Sequence, residues 1–135
     1  MTGNRVQIRL TDPDALGPLL ARVRAEVDGV DGLAVTSRDG IVVAADLAPG
    51  TPHPDDAAAQ ASAMGAASAG VGQRFVQFSG LGRLQSVLLE GDRGCIAVQP
   101  LSGTLLLVVL GTPGTAMGLF TLAVRRATAI LLAPE

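Results

Sequence analysis

Leu33-Ala34-Val35-Thr36-Ser37-Arg38-Asp39-Gly40-Ile41-Val42-Val43-Ala44-Ala45 sets two β-prone runs on either side of an Asp-Gly step. Val, Ile and Thr are stiff at χ1 and fit a pleated, half-buried surface. Glycine accepts the positive φ of a tight reversal without steric cost. The stretch predicts an antiparallel β-hairpin, and the rest of the chain can be read outward from it.

Towards the N-terminus, Thr11-Asp12-Pro13-Asp14 carries the marks of a helix start. Thr11 or Asp12 can cap free N–H groups, Pro13 suits the first helical position, and Asp14 suits the positive end of the dipole. Leu16, Leu19, Leu20, Val23 and Val27 follow at helical spacing, with Gly29 and Gly32 as punctuation, which predicts a helix over 14–28. Before it, Val6, Ile8 and Leu10 alternate with polar residues, which fits a short strand or a loose tail. Residues 1–12 are therefore expected to be an N-terminal tail and residues 13–135 the domain.

Towards the C-terminus, the three prolines in Leu47-Ala48-Pro49-Gly50-Thr51-Pro52-His53-Pro54 forbid regular pairing and predict a loop. Asp55 and Asp56 then open a long helix that reaches Phe78 or stops near Gly70. Leu84–Glu90, Cys95–Val98 and Thr104–Leu110 follow as three strands with turns at Gly91-Asp92-Arg93-Gly94 and over 99–103. Thr112-Pro113-Gly114-Thr115 leads into a last helix to about Leu132, with Leu119, Phe120, Ala123, Val124, Ala127, Ile130 and Leu131 as its apolar positions. The order α-β-β-α-β-β-β-α is that of a single α/β (α+β) domain, a five-stranded antiparallel sheet covered on both faces by helices.

Composition narrows the function. The chain of 135 residues fits one domain that can bury a core without disulfides or metal. Aromatics are 2%, so Leu, Val, Ile and Ala must fill the core, with Phe75, Phe78 and Phe120 as its only large rings. Every strong cation is an arginine and the formal net charge is −2, which argues against a nucleic-acid partner. Arg125-Arg126 is the only local basic cluster and reads as a solvated helix flank. The first ten residues lack the apolar core of a secretory signal, and no run is long enough to span a membrane. A cytoplasmic protein without membrane insertion is expected.

Catalytic constellations are missing. A P-loop needs a lysine that this chain lacks, and Gly80-Leu81-Gly82 and Gly111–Gly114 match no dinucleotide fingerprint. One histidine and one cysteine cannot make a structural zinc site. Cys95 falls in an apolar run and reads as a buried thiol, whereas a Cys95–His53 nucleophile pair would require an accessible mid-strand cysteine. Asp55 and Asp56 resemble paired carboxylates but stand where a helix start favours negative charge. No catalytic residue, metal site or cofactor is expected.

The middle helix is the unusual feature. No charged residue stands between Asp56 and Arg74. Ala57, Ala61, Gly65 and Ala69 form a row that is small at every fourth position, with Gln60, Met64 and Ser68 beside it, and Val71, Phe75 and Phe78 continue as an apolar stripe. An Ala-rich helix buried in its own domain is one reading. The other is a self-complementary contact between two copies, with Met64 as an adaptable side chain. The expected dimer or partner interface is Ala57, Gln60, Ala61, Met64, Gly65, Ser68, Val71 and Phe75.

The stretch Val30–Ala44 with its Ser37-Arg38-Asp39-Gly40 turn, the Ala-rich helix, the three-strand meander and Met117-Gly118-Leu119 opening the last helix together resemble the Roadblock/LC7 domain over about residues 14–132. The resemblance implies a profilin-like sheet sandwiched by helices. It implies a homodimer or heterodimer in which the middle helix and the strand after it form the contact, with one sheet continuous across both subunits. It also implies binding and regulation of a Ras-like small GTPase, as by the bacterial gliding-motility regulator, with a sensor kinase complex as a further partner. The arginine-only, alanine-rich composition looks like that of a high-GC bacterium. Arg38, Arg74 and Arg83 are available to a partner's chemistry, but none maps onto a fixed catalytic finger. The expected function is a dimeric, non-catalytic regulator of a GTPase nucleotide cycle. The alternatives are a scaffold of a kinase–GTPase complex that leaves hydrolysis unchanged, and a small-molecule sensor or enzyme, which would need a closed cavity with convergent polar groups.

Overall fold

A computed structural model describes residues 2–134, with side chains from Arg5 to Pro134. Among them are α1 (Thr2–Thr11), α2 (Pro13–Glu26), β1 (Val30–Ser37), β2 (Val42–Asp46), α3 (Pro54–Phe78), β3 (Val87–Glu90), β4 (Cys95–Pro100), β5 (Leu105–Gly111) and α4 (Met117–Leu132). The five strands form one antiparallel sheet in the order β2-β1-β5-β4-β3. The expected α+β order is present, preceded by one further helix.

That helix replaces the expected strand or tail. Leu10 is buried and Val6 packs against the same core, so α1 belongs to the packed body instead of hanging from it. The Arg9 guanidinium reaches the C-terminal end of α4, donating to the carbonyls of Leu131 and Ala133 at 2.8 Å each, where unpaired carbonyls and the negative end of the dipole favour a cation. Val6 and Leu10, one turn apart, share the inward edge of the helix, whereas Ile8, two residues from each, faces away and is exposed.

The hairpin forms with a three-residue loop. Gly40 N–H donates to Ser37 O (3.0 Å) and Ser37 N–H to Ile41 O (2.9 Å). Gly40 has φ +90°, and the register slips between Val35 and Thr36, the mark of a bulge next to a turn of this kind. The Ser37 hydroxyl donates to Asp39 Oδ1 (2.5 Å) and accepts from Ile41 N–H (3.0 Å), so side chains tighten the same turn. Asp12 caps α2 by accepting from Asp14 N–H. The ion pair Arg24–Asp46 ties α2 to β2. α3 runs unbroken to Phe78, past Gly70, and ends where Gly80 turns at φ +70° and Gly80 and Leu81 N–H groups return to the carbonyls of Gln77 and Val76. β3 is shorter than expected, because residues 84–86 form a loop in which Leu84 N–H donates to Gln73 Oε1 (2.9 Å) and the Leu84 side chain is buried.

The two faces of the sheet are packed unequally. On one, Leu33, Val35, Leu107 and Val109 meet α1, α2 and α4 through Leu10, Leu16, Leu20, Val23, Phe120, Ala127 and Leu131. On the other, α3 alone lies across Ala34, Val108 and Val98. The expectation of three core phenylalanines is corrected. Phe120 is fully buried, whereas Phe75 and Phe78 are 68% and 89% exposed. Apolar stripes at helical spacing ordinarily face inward, but here α3 has already turned its smallest residues towards the sheet.

Candidate interaction surface

α3 crosses one cross-strand row and leaves the next one open. The covered row runs Ala45–Ala34–Val108–Val98–Val87 through paired positions. The helix approaches closely at Gly65, for a Cβ there would lie 2.7 Å from Val108 Cγ2. Gly40 at the hairpin tip also packs onto α3, with its missing Cβ 3.2 Å from Ala63 Cα. Ala58, Ser62, Gly65 and Ala69 are therefore the inner face of the helix. Much of the small-residue character is a requirement of this protein's own sheet, since bulkier side chains would lift α3 away.

The neighbouring row, Leu89–Ile96–Leu110, lies on the same side of the sheet beyond the edge of α3. With Ala61, Met64 and Ser68 it lines an apolar groove of about 420 Å³. Met64 is 64% exposed, Leu89 47% and Ile96 37%, and Val71 and Phe75 extend the apolar strip along the helix. β3 forms one edge of the sheet, so the backbone N–H and C=O groups on its outer side have no strand to pair with.

The eight residues singled out from the sequence divide accordingly. Met64, Val71, Phe75 and Gln60 are exposed, Ala57, Ala61 and Ser68 are half-buried, and Gly65 is buried against the sheet. Ala61, Met64, Gly65 and Ser68 share the groove, Gly65 as its floor. The Ser68 hydroxyl donates back to Met64 O (2.8 Å). Reading the helix alone missed Leu89, Ile96 and Leu110; the adjacent apolar pairs in Val87-Leu88-Leu89 and Cys95-Ile96 were a signal, since a strand with one solvated face would alternate. Phe78, the most exposed large side chain of the stripe, was also outside the chosen set.

Other candidates do not converge on chemistry. Cys95 is buried in the α4-side core, while His53 is exposed at the start of α3 on the opposite face of the sheet, so the two do not form a pair. His53 takes a left-handed conformation (φ 45°, ψ 65°) and makes no side-chain cap to the helix. Asp55 and Asp56 stand in the first turn of α3, where they oppose its positive end. Among the described residues no three metal-binding side chains cluster, and no helix is long and apolar enough to cross a membrane. Asp39 has its carboxyl held below the usual value, first by the Ser37 hydroxyl and then by its own backbone N–H, against a small opposing effect of desolvation.

An antiparallel sheet with helices on both faces, and an apolar groove left open beside the central helix, defines a profilin-like α+β domain. The chain belongs to the Roadblock/LC7 domain family, whose pattern matches residues 18–111. Two uncharacterized proteins of Methanocaldococcus jannaschii, MJ0310 and MJ1340, are each 30% identical over 102 residues, covering 76% of this chain and 84% of theirs. Among solved structures, the gliding protein MglB of Thermus thermophilus superposes with a TM-score of 0.70 at 23% identity, covering 85% of this chain and 84% of that one. A structure described as MglB with tetrameric arrangement gives 0.72 at 24% identity, over 89% and 87% of the two chains. A Roadblock/LC7 domain from Streptomyces avermitilis gives 0.69 at 18% identity, over 83% and 90%.

Proposed function

We propose that this protein is a non-catalytic dimeric regulator that binds a Ras-like small GTPase and modulates its nucleotide cycle. The observation that carries the dimer is the groove. Met64, Leu89 and Ile96 stand exposed beside the unpaired edge of β3. A second copy related by a two-fold axis would pair β3 with β3 and lay α3 against the open row, covering both apolar surface and free backbone groups. Taking one large apolar side chain from fully exposed to buried contributes about 1.5–3 kcal/mol, and less for these partly covered ones. A related MglB structure is described as tetrameric, which supports self-association in this family. The GTPase partner rests on the resemblance to the gliding proteins.

Sedimentation of the wild-type protein and of Met64→Arg tests the first part. A wild-type dimer and a folded monomeric variant are expected, because the guanidinium would be buried without a partner. A variant that stays dimeric rejects this placement. Calorimetric titration with Ras-like GTPases of the source organism, loaded with GDP or a GTP analogue, tests the second part. Binding that depends on nucleotide, with a changed hydrolysis rate, is the expected result. Nucleotide-independent binding with unchanged hydrolysis would make the protein a scaffold, and no binding in either state removes the GTPase from the proposal.

A further inference from the structure

The second opening along α3 lies on the side away from the apolar groove, and its chemistry is different. At about 100° per residue, Gln73 and Gln77 point to the flank opposite Met64, Ser68 and Phe75. There Arg38 from the hairpin tip and Arg83 from the α3–β3 loop line one open pocket of about 470 Å³, together with Gln73, Gln77, Gln85 and Ser102. No carboxylate lines it, although the chain carries a net charge of −2. Neither arginine has an ion-pair partner among the described residues.

Several of these groups are already held in place. Arg38 Nη2 donates to Ser102 O (3.0 Å), which anchors one nitrogen and leaves the other donors of the guanidinium for a ligand. Gln73 Oε1 accepts from Leu84 N–H (2.9 Å), which leaves its amide nitrogen to donate. Asp39, next to Arg38 in sequence, takes the Ser37 hydroxyl and is not part of the lining. The negative end of α3 lies at the same corner, but the Gly80 and Leu81 N–H groups occupy two of its last carbonyls. The pocket thus presents guanidinium and amide donors and accepts negative charge. It is open along one side, and no aromatic side chain lines it, so a nucleobase would find no stacking surface.

We propose that this arginine pocket docks an acidic segment of a partner protein, with carboxylates meeting Arg38 and Arg83 and glutamine amides fixing the segment's backbone. The proposal rests on reading the chain as a partner-binding protein, and it places partner contact on a surface that dimerisation through the apolar groove leaves open. Charge complementarity and the open shape select a protein segment over a small anion, which would be better served by an enclosed cradle.

The test uses the full chain and a fluorescein-labelled peptide in which glutamates alternate with leucines, with a glutamine-for-glutamate peptide as reference. Fluorescence anisotropy is followed at low and at physiological ionic strength, for the wild type, for Arg38→Gln with Arg83→Gln, and for Arg125→Gln with Arg126→Gln. The last variant removes the same charge from the exposed arginine pair of α4. The expected result is salt-sensitive binding to the glutamate peptide that falls about tenfold or more in the pocket variant and is unchanged in the α4 variant. Equal binding by the pocket variant, equal loss in the α4 variant, or equal affinity for the glutamine peptide overturns the proposal. Inorganic phosphate that shifts the Arg38 and Arg83 resonances while the peptide does not bind also overturns it, in favour of a small-anion site. Met64→Arg is measured alongside. If it is monomeric and still binds the peptide, the two surfaces are independent; a wild-type protein that is dimeric but does not bind the peptide sinks only the pocket.

Discussion

Replacing Gly65 and Gly70 by alanine, one at a time, asks whether α3 is held by its inner face. Both glycines sit inside the same helix, and alanine gains about 0.5–1 kcal/mol of helix propensity at either position. At Gly70 the new methyl meets nothing within 4 Å, so the gain should appear undiminished as added stability. At Gly65 it would lie 2.7 Å from Val108 Cγ2 and 3.7 Å from Val98 Cγ2. Val108 is buried on β5, between β1 and β4, and its β-branched side chain has few rotamers to escape into. Relief must come from moving α3 outward, and overpacking of this kind costs about 1–3 kcal/mol. The net expectation is a loss of about 1 kcal/mol or more for Gly65→Ala and a gain of up to about 1 kcal/mol for Gly70→Ala. Urea unfolding at one fixed protomer concentration, because association adds to apparent stability, should move the two midpoints in opposite directions by about 0.5 M. A Gly65→Ala protein as stable as the wild type would show that α3 does not press on β5 as described. A destabilised Gly70→Ala protein would show that the outer face is not open.

The phenylalanines should behave as oppositely as their exposures. Phe120→Ala is expected to lose about 3–5 kcal/mol in denaturant unfolding, a large part of a small domain's stability, whereas Phe78→Ser should stay within about 0.5 kcal/mol when compared below the concentration at which the chain associates. The hairpin turn should be acid-sensitive. Because the Asp39 carboxyl is held below its ordinary 3.8, its contribution is fully present above that value and is lost as pH falls through the lower folded pKa. Carbon-detected titration should place the Asp39 midpoint below 3.8 in the wild type and nearer 3.8 in Ser37→Ala. An unchanged midpoint in the variant would remove the hydroxyl as the cause.

The candidate surface was legible where it depended on one element and hidden where it depended on several. Met64, Val71 and Phe75 stood out because a helix without charges over so many residues has no solvated face to offer. Which side of that helix would turn inward was not legible. Alanine, serine and glycine surround it almost evenly, so no hydrophobic gradient selects a face. Packing selects it through the fit of Gly65 to Val108 and of Ala63 to the hairpin at Gly40. The arginine pocket was further out of reach, for Arg38, Gln73, Arg83 and Ser102 come from separate elements.

Local sequence was enough to specify the hairpin, the Asp12 cap of α2, the presence and order of α2, α3 and α4, and the three-strand meander. These are matters of local period, turn chemistry and residue inventory, which act over a few residues. The pairing of β1 with β5, which joins the two halves of the chain in one sheet, came from the folded molecule alone. So did the docking of residues 2–11 on the core as a helix, the outward facing of Phe75 and Phe78, and the placing of one apolar and one basic opening along the flanks of α3. Those outcomes depend on which surfaces fit when distant segments meet, and no local pattern specifies that fit.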